Sequence, residues 1–457
     1  LRSDFPLTVV DDEVFGSATL RAGETLHLSL VFASERPAIL APLGAWSQEM
    51  IERSVDWWRR WVSRLDYEGP AREAVERSAL VLKLLVFAPS GAVVAAPTTS
   101  LPERLGADLN WDYRFCWLRD ASLTVRALLG LGFEAEAEAF VSWLLHSTRL
   151  TQPELRILYD VYGNTIVGER ELDHLEGYFG SRPVRVGNAA ATQLQLDVYG
   201  EVIDAVTHLV RRGARLDGET EGMLEAFGEW VSRNWHRPDE GIWEPRWGKA
   251  HHTHSRVLCW LALEDLLSLH AQGHLRKIPV EIFEKNRALI RNEVQTRAWN
   301  PRLRSYTARL DGEEVDASTL LLSWYGFEPA DSPRMRLTYA HIRATLGAGN
   351  GLLHRYRRPG PLEEGAFGIA SFWAVEYLAL GGGSAQEAEA LFLSLLKYAN
   401  EVGLFGEEID PATGKALGNF PQAFTHVGLI NAALTLVRRR RGKEPHRTGI
   451  PPKEDSP

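Results

Sequence analysis

Cysteine is almost absent from this chain: Cys116 and Cys259 are the only two in 457 residues. Two thiols cannot build a disulfide framework, and the count suits a reducing compartment, so a cytoplasmic setting is expected. Long apolar runs are missing as well. No stretch approaches the ~18 consecutive apolar residues of a membrane-spanning helix, and the first residues carry no signal-peptide pattern. The chain starts at Leu1 rather than Met, so a lost upstream segment is expected. Positive charge is short: 51 Lys and Arg stand against 60 Asp and Glu, a net charge of -9. That deficit argues against nucleic acid and an anionic membrane as partners. The single basic run, Arg438 to Arg441, ends an apolar helical pattern and reads as a helix C-terminus whose cations face the dipole. The sequence also lacks a G-x-x-x-x-G-K-[ST] phosphate loop, an H-E-x-x-H zinc motif and a G-x-S-x-G nucleophile elbow. Neither a cofactor nor a metal is expected.

What is present is mostly helix. Residues 1 to about 34 read as β, because Leu26, Leu28, Leu30 and Phe32 alternate after a turn at Arg21-Ala22-Gly23. A β segment of residues 1–45 would be the end of an N-terminal sandwich, and its apolar face needs a partner. Residues 46–68 read as a linker helix. From residue 69 twelve helical patterns follow, at about 69–87, 119–132, 133–148, 189–212, 219–235, 253–270, 279–297, 316–325, 332–346, 366–381, 385–402 and 422–440. Asn188 and Asp316 suit N-caps, and Gly213 and Gly347 suit helix ends. Long loops rich in aromatic and charged residues precede every second helix, at 100–118, 171–188, 238–252, 299–315, 351–365 and 403–421. No fixed-period repeat supports an open solenoid. The alternation predicts an all-α fold, an (α/α)6 toroid over 69–442, with the long loops converging on one rim. Residues 443–457 read as a loose tail.

Converging loops crowded with Trp and acid suggest sugar chemistry, since pyranoses present flat C–H faces to indoles and glycosidic bonds need two carboxyl groups. In the third loop Glu244 lies between Trp243 and Trp247, where desolvation would raise its pKa; the bland alternative is a glutamate paired with Arg246. In the sixth loop Glu407, Glu408 and Asp410 crowd three acids into four residues, or else form a solvated turn. In the first loop Arg119 and Asp120 could bind sugar hydroxyls, or form a cap with its own ion pair. His251, His252 and His254 read as caps or packing at a helix start rather than as a zinc site.

Five stretches together carry a family resemblance: NWDYRFCWLRDAS at 110–122, HLEGYFGSRPVRVGNAA at 174–190, DEGIWEPR at 239–246, RYRRPGPLEEGAF at 355–367, and EEIDPATGKALGNFPQAFTHVGLINAA at 407–433. Over roughly residues 70 to 440 the chain resembles glycoside hydrolase family 15, in its glucoamylase-like and trehalase-like bacterial and archaeal branch. The resemblance implies an (α/α)6 barrel and inversion at the anomeric carbon. It implies Glu244 as general acid and Glu407 as general base. It implies Arg119 and Asp120 holding the terminal glucose, Tyr113 near the reacting carbon, Arg355 at the rim, and Trp243 and Glu408 lining the pocket. Trp117 would be structural, behind Arg119. The expected partner is a small carbohydrate; a homo-oligomer is left open. No starch-binding module is legible, which favours short soluble substrates. The first expectation is an exo-acting glucoamylase-like hydrolase releasing β-glucose from α-linked oligosaccharides. The alternatives are an α,α-trehalase and a non-catalytic glucan-binding protein.

Overall fold

The computed structural model describes residues 1–32, 43–149, 151–165, 167–246, 248–357 and 364–442. The tail expected at 443–457 and Trp247 fall outside them. The chain divides into two compact units, Leu1–Leu65 and Asp66–Pro457.

The first unit holds short antiparallel pairs and one helix. Arg2–Ser3 pairs with Leu28–Ser29, and Thr8–Val10 pairs with Glu13–Phe15. Only two residues of the alternating 26–32 run are in a strand, and Leu26, Leu28, Leu30 and Phe32 are all exposed. Helix α1 covers Ala45–Val62, with Trp61 its one buried side chain.

Among the described residues, the second unit is built from twelve α-helices in two rings. The inner ring comprises α3 (Leu118–Gly130), α5 (Asp197–Arg211), α7 (Thr253–Ala271), α9 (Leu321–Trp324, continuing a 3-10 turn from Ala317), α11 (Gly368–Tyr377) and α13 (Ala423–Arg440). Each packs on the next, and α13 packs back on α3, so the ring closes. The outer ring comprises α2 (Arg72–Leu85), α4 (Glu134–Thr148), α6 (Gly218–Asn234), α8 (Val280–Glu293), α10 (Pro333–Leu346) and α12 (Ala385–Leu395). This is the (α/α)6 toroid.

Burial patterns explain who sits where. Helix α5 is buried at every position from Asp197 to Val210, as an inner helix wrapped by neighbours must be. Helix α6 buries Thr220, Met223, Leu224, Phe227, Gly228, Trp230 and Val231, largely one stripe at helical spacing, and leaves Gly218, Glu219, Gly222 and Arg233 exposed. Outer helices start on ordinary caps: Asp217 accepts from the Thr220 N–H at 2.8 Å, and Ser384 accepts from the Glu387 N–H at 3.1 Å. Inner helices approach closely where a side chain is missing. A Cβ on Gly200 of α5 would collide with the Leu258 carbonyl oxygen of α7.

Some boundaries differ from the sequence expectation. Asn188 caps only a 3-10 turn, Ala189–Thr192, and α5 starts at Asp197. Residues 193–196 between them run over the site rather than in a helix. Gly347 does not end α10 in a left-handed conformation: its φ is -63°, and it starts a strand, Gly347–Gly349, pairing with Leu352–Leu353. Asp316 does cap its turn, accepting from the Ser318 N–H at 2.7 Å.

Candidate active site

The long loops meet at the N-terminal ends of the inner helices, where short pairings fix them. Asp239 pairs with Ala250, closing the third loop on itself. The Asp239 carboxylate accepts from the Leu196 N–H at 2.9 Å and from the Ser255 hydroxyl at 2.7 Å, pinning that loop to the starts of α5 and α7. Ala366–Phe367 pairs with Glu408–Ile409, and the Gly368 N–H at the start of α11 donates to the Glu407 carbonyl at 2.9 Å.

These anchors deliver Glu244 and Glu407 to one cavity of about 370 Å³, lined also by Tyr113, Trp117, Arg119, Asp120, Trp243 and Arg355. Glu244 is not paired with Arg246. Its Oε1 accepts from the Trp117 indole N–H at 2.8 Å, from the Gln195 amide at 3.1 Å and from Arg119 at 3.3 Å. Trp117 therefore does more than back Arg119: it holds the Glu244 carboxylate directly. Glu244 also has φ 55°, a left-handed conformation that non-glycine residues rarely adopt and that clusters at functional sites. Arg119 donates to the Ile242 carbonyl at 2.8 Å and stands 3.1 Å from Asp120.

Glu407 lies on the same cavity, nearly fully buried. Its Oε1 accepts from the Tyr113 hydroxyl at 2.8 Å, while Oε2 has no hydrogen-bond partner among the described residues. Burial pushes its carboxyl up to about 7, against the pull of the Arg355 charge and the Tyr113 hydroxyl. Burial likewise raises Asp120 to about 6, although the Arg119 charge opposes it.

Arg355 lies between this cavity and a larger one of about 1100 Å³, lining both, as Tyr113, Trp243 and Glu244 do. It is half-buried, bonding Glu364 at 2.9 Å and Glu103 at 3.3 Å. Trp243 donates its indole N–H to Asp316 at 2.7 Å. Glu408 departs from the expectation of a pocket-lining residue. It is fully buried behind the cavity, where it accepts from the Gly365 N–H at 2.8 Å. Oxygens of Glu103, Glu364 and Glu408 come within 4.8 Å of one another, the one group among the described residues close enough to hold a metal. Arg355 already stands among them as the cation. His251, His252 and His254 form no such group; His251 meets Arg256 and His254 meets Asp197.

Sequence reasoning missed Gln195, Gln422, Phe424 and Glu103, which line or hold these cavities. Gln195 was hidden because 189–196 reads as helix. Glu103 lies in a plain stretch, Leu101-Pro102-Glu103-Arg104, with no signal of its own.

A closed ring of six helix pairs, carrying carboxyl groups, Trp and Arg in a pocket at one rim, is a setting that glycoside hydrolysis can use. The chain belongs to the family described as Glycosyl hydrolases family 15, which it matches over residues 69–381 and 383–434. It is 34% identical over 435 residues to a trehalase of Thermoplasma acidophilum, covering 95% of this chain and 74% of that one. It is 39% identical over 390 residues to a trehalase of Mycolicibacterium smegmatis, covering 83% of this chain but only 58% of that one. The fold is similar to that of a bacterial glucoamylase complexed with acarbose, with a TM-score of 0.68 at 16% identity over 89% of this chain and 60% of that one. A wild-type glycosidase structure gives 0.65 at 20% identity, over 83% and 98%. No helix among the described residues is long and apolar enough to cross a membrane.

Proposed function

We propose that the chain hydrolyses α,α-trehalose by a single displacement that inverts the anomeric carbon. The observation that carries the reading is the pair Glu244 and Glu407 on one small cavity beside Arg119 and Asp120. Inverting hydrolysis needs a carboxylic acid on the leaving oxygen and a carboxylate on a water across the ring. Glu244 protonates the glycosidic oxygen as the C1–O bond breaks. Glu407 takes a proton from the water whose oxygen bonds to C1. The products are one β-glucose, formed by that attack, and one glucose released as leaving group. Arg119 and Asp120 offer donors and acceptors for the hydroxyls of the bound glucosyl unit. Tyr113 orients Glu407, and Trp243 gives the sugar an apolar wall.

The maltooligosaccharide expectation came first from the sequence; the trehalases at 34% and 39% identity move trehalose ahead of it. The larger cavity beside the smaller one leaves maltooligosaccharides as the second reading. The test is glucose release from trehalose, maltose, isomaltose and soluble starch, with the product anomer followed by NMR. Trehalose is expected to have the highest kcat/KM and β-glucose to appear first alongside the leaving sugar. Starch or maltose in first place would overturn the substrate, and a sole α-glucose product would overturn the inversion.

A further inference from the structure

The larger cavity has a wall that the two-glutamate chemistry does not use. Arg246, two residues beyond Glu244, grips Glu169 with both terminal nitrogens at 3.0 and 2.6 Å. Its guanidinium lies 4.2 Å from the ring centroid of Trp111. Glu169 is itself anchored: its Oε2 accepts from the Ala189 N–H at 3.1 Å, and Arg185 stands 3.6 Å from its Oε1. The neighbouring Arg185 is committed to structure, because it is buried and donates to the carbonyls of Asp108 and Asn110 at 2.9 and 3.0 Å. Arg246 differs. Its side chain is 44% exposed and lines the cavity.

The same cavity contains a buried acceptor left open. Gln193 donates its amide to the Glu244 carbonyl at 3.2 Å, so its Oε1 is the free end, and that oxygen has no partner among the described residues. Buried polar atoms without partners are rare and call for an explanation. A sugar ring meets this set well: its hydroxyls donate to Gln193 and accept from the N–H groups of Arg246 that Glu169 does not occupy. The position is also right, since this cavity opens from Glu244, where the leaving oxygen receives its proton.

We propose that Arg246, held in place by Glu169, binds the sugar that departs, making the larger cavity the leaving-group subsite and Arg246 a determinant of which glucosides are cleaved. The inference rests on the α-glucosidase reading of the pocket, not on trehalose in particular.

The experiment compares wild type, Arg246→Ala and Arg246→Lys on trehalose, on maltose and on α-glucosyl fluoride. The fluoride has no leaving sugar and occupies only the small cavity. Loss of a charged hydrogen bond is worth about tenfold or more in affinity. For the disaccharide that wild type cleaves best, Arg246→Ala should lower kcat/KM at least tenfold more than it lowers kcat/KM for the fluoride. Arg246→Lys, which keeps the charge without the planar fork, should recover part of that difference. Equal losses on both kinds of substrate, or no loss on the disaccharide, would overturn the proposal. If wild type cleaves maltose and not trehalose, the substrate reading fails while this inference is still decided on maltose. A wild type that cleaves the fluoride but neither disaccharide sinks both.

Discussion

Tyr113→Phe removes one hydroxyl and leaves the ring, so it isolates the 2.8 Å bond from Tyr113 to Glu407. In the proposed mechanism Glu407 must be ionised in the free enzyme. Burial raises its pKa to about 7 even with this hydroxyl and the Arg355 charge pulling down. A phenol that donates to a carboxylate favours the ionised form, so removing it moves the pKa up, not down. A hydrogen bond to a charged group is worth about 1.5–3 kcal/mol and one to its neutral form about 0.5–1.5, leaving a difference of about 1–2 kcal/mol. At 1.36 kcal/mol per unit that is a shift of about one pH unit. The assay is the pH profile of kcat/KM on trehalose, which reports free-enzyme groups. Wild type should show an acid limb, activity rising with pH through about 7. Tyr113→Phe should carry that limb about one unit toward alkali and lose roughly tenfold in rate well below it. A limb that stays in place would show that the hydroxyl does not act through Glu407. A wild-type profile that instead falls as pH rises through this region would mean the protonated form of Glu407 is required, and the two glutamates would exchange roles.

Two further outcomes are expected. Glu244→Gln and Glu407→Gln should each lower turnover on trehalose by about 10²–10⁴-fold; with α-glucosyl fluoride, whose departure needs little protonation, Glu244→Gln should recover most of its loss and Glu407→Gln should not, and rescue of Glu407→Gln alone would reverse the assignment. Gly200→Ala should destabilise the toroid by about 1–3 kcal/mol in urea unfolding, because the new methyl must push α5 off the Leu258 carbonyl of α7; an unchanged midpoint would show that the helices can part there without cost.

Helices were legible in the sequence because period and burial are the same fact. Outer helices such as α6 carry their apolar stripe openly, and inner ones such as α11 read as apolar throughout. The loops gave away which residues gather at the rim, and Glu244, Glu407, Arg119, Asp120, Tyr113 and Trp243 do line one cavity. Direction was not legible. Glu407 and Glu408 are adjacent and chemically identical, yet only Glu407 lines the cavity, while Glu408 is fully buried. Gln195 escaped for a different reason: small and apolar residues at 189–192 mimic a helix start, and only the Asn188 cap on a single turn reveals the break.

The closure of the ring has a consequence for how the protein is born. Helix α13 seals against α3, and Tyr113 meets Glu407 across 294 positions of chain. A ribosome adding about 5–20 residues per second needs roughly 15–60 s to cover that distance. Throughout that interval the first helices are out and their partners are not, so their inner faces must wait, half-dressed, or be shielded by a chaperone. Glu244 emerges well before Glu407, so under the proposed mechanism a fragment that ends between them has only one of its two carboxyl groups, and a chain that stops short of α13 is an open horseshoe.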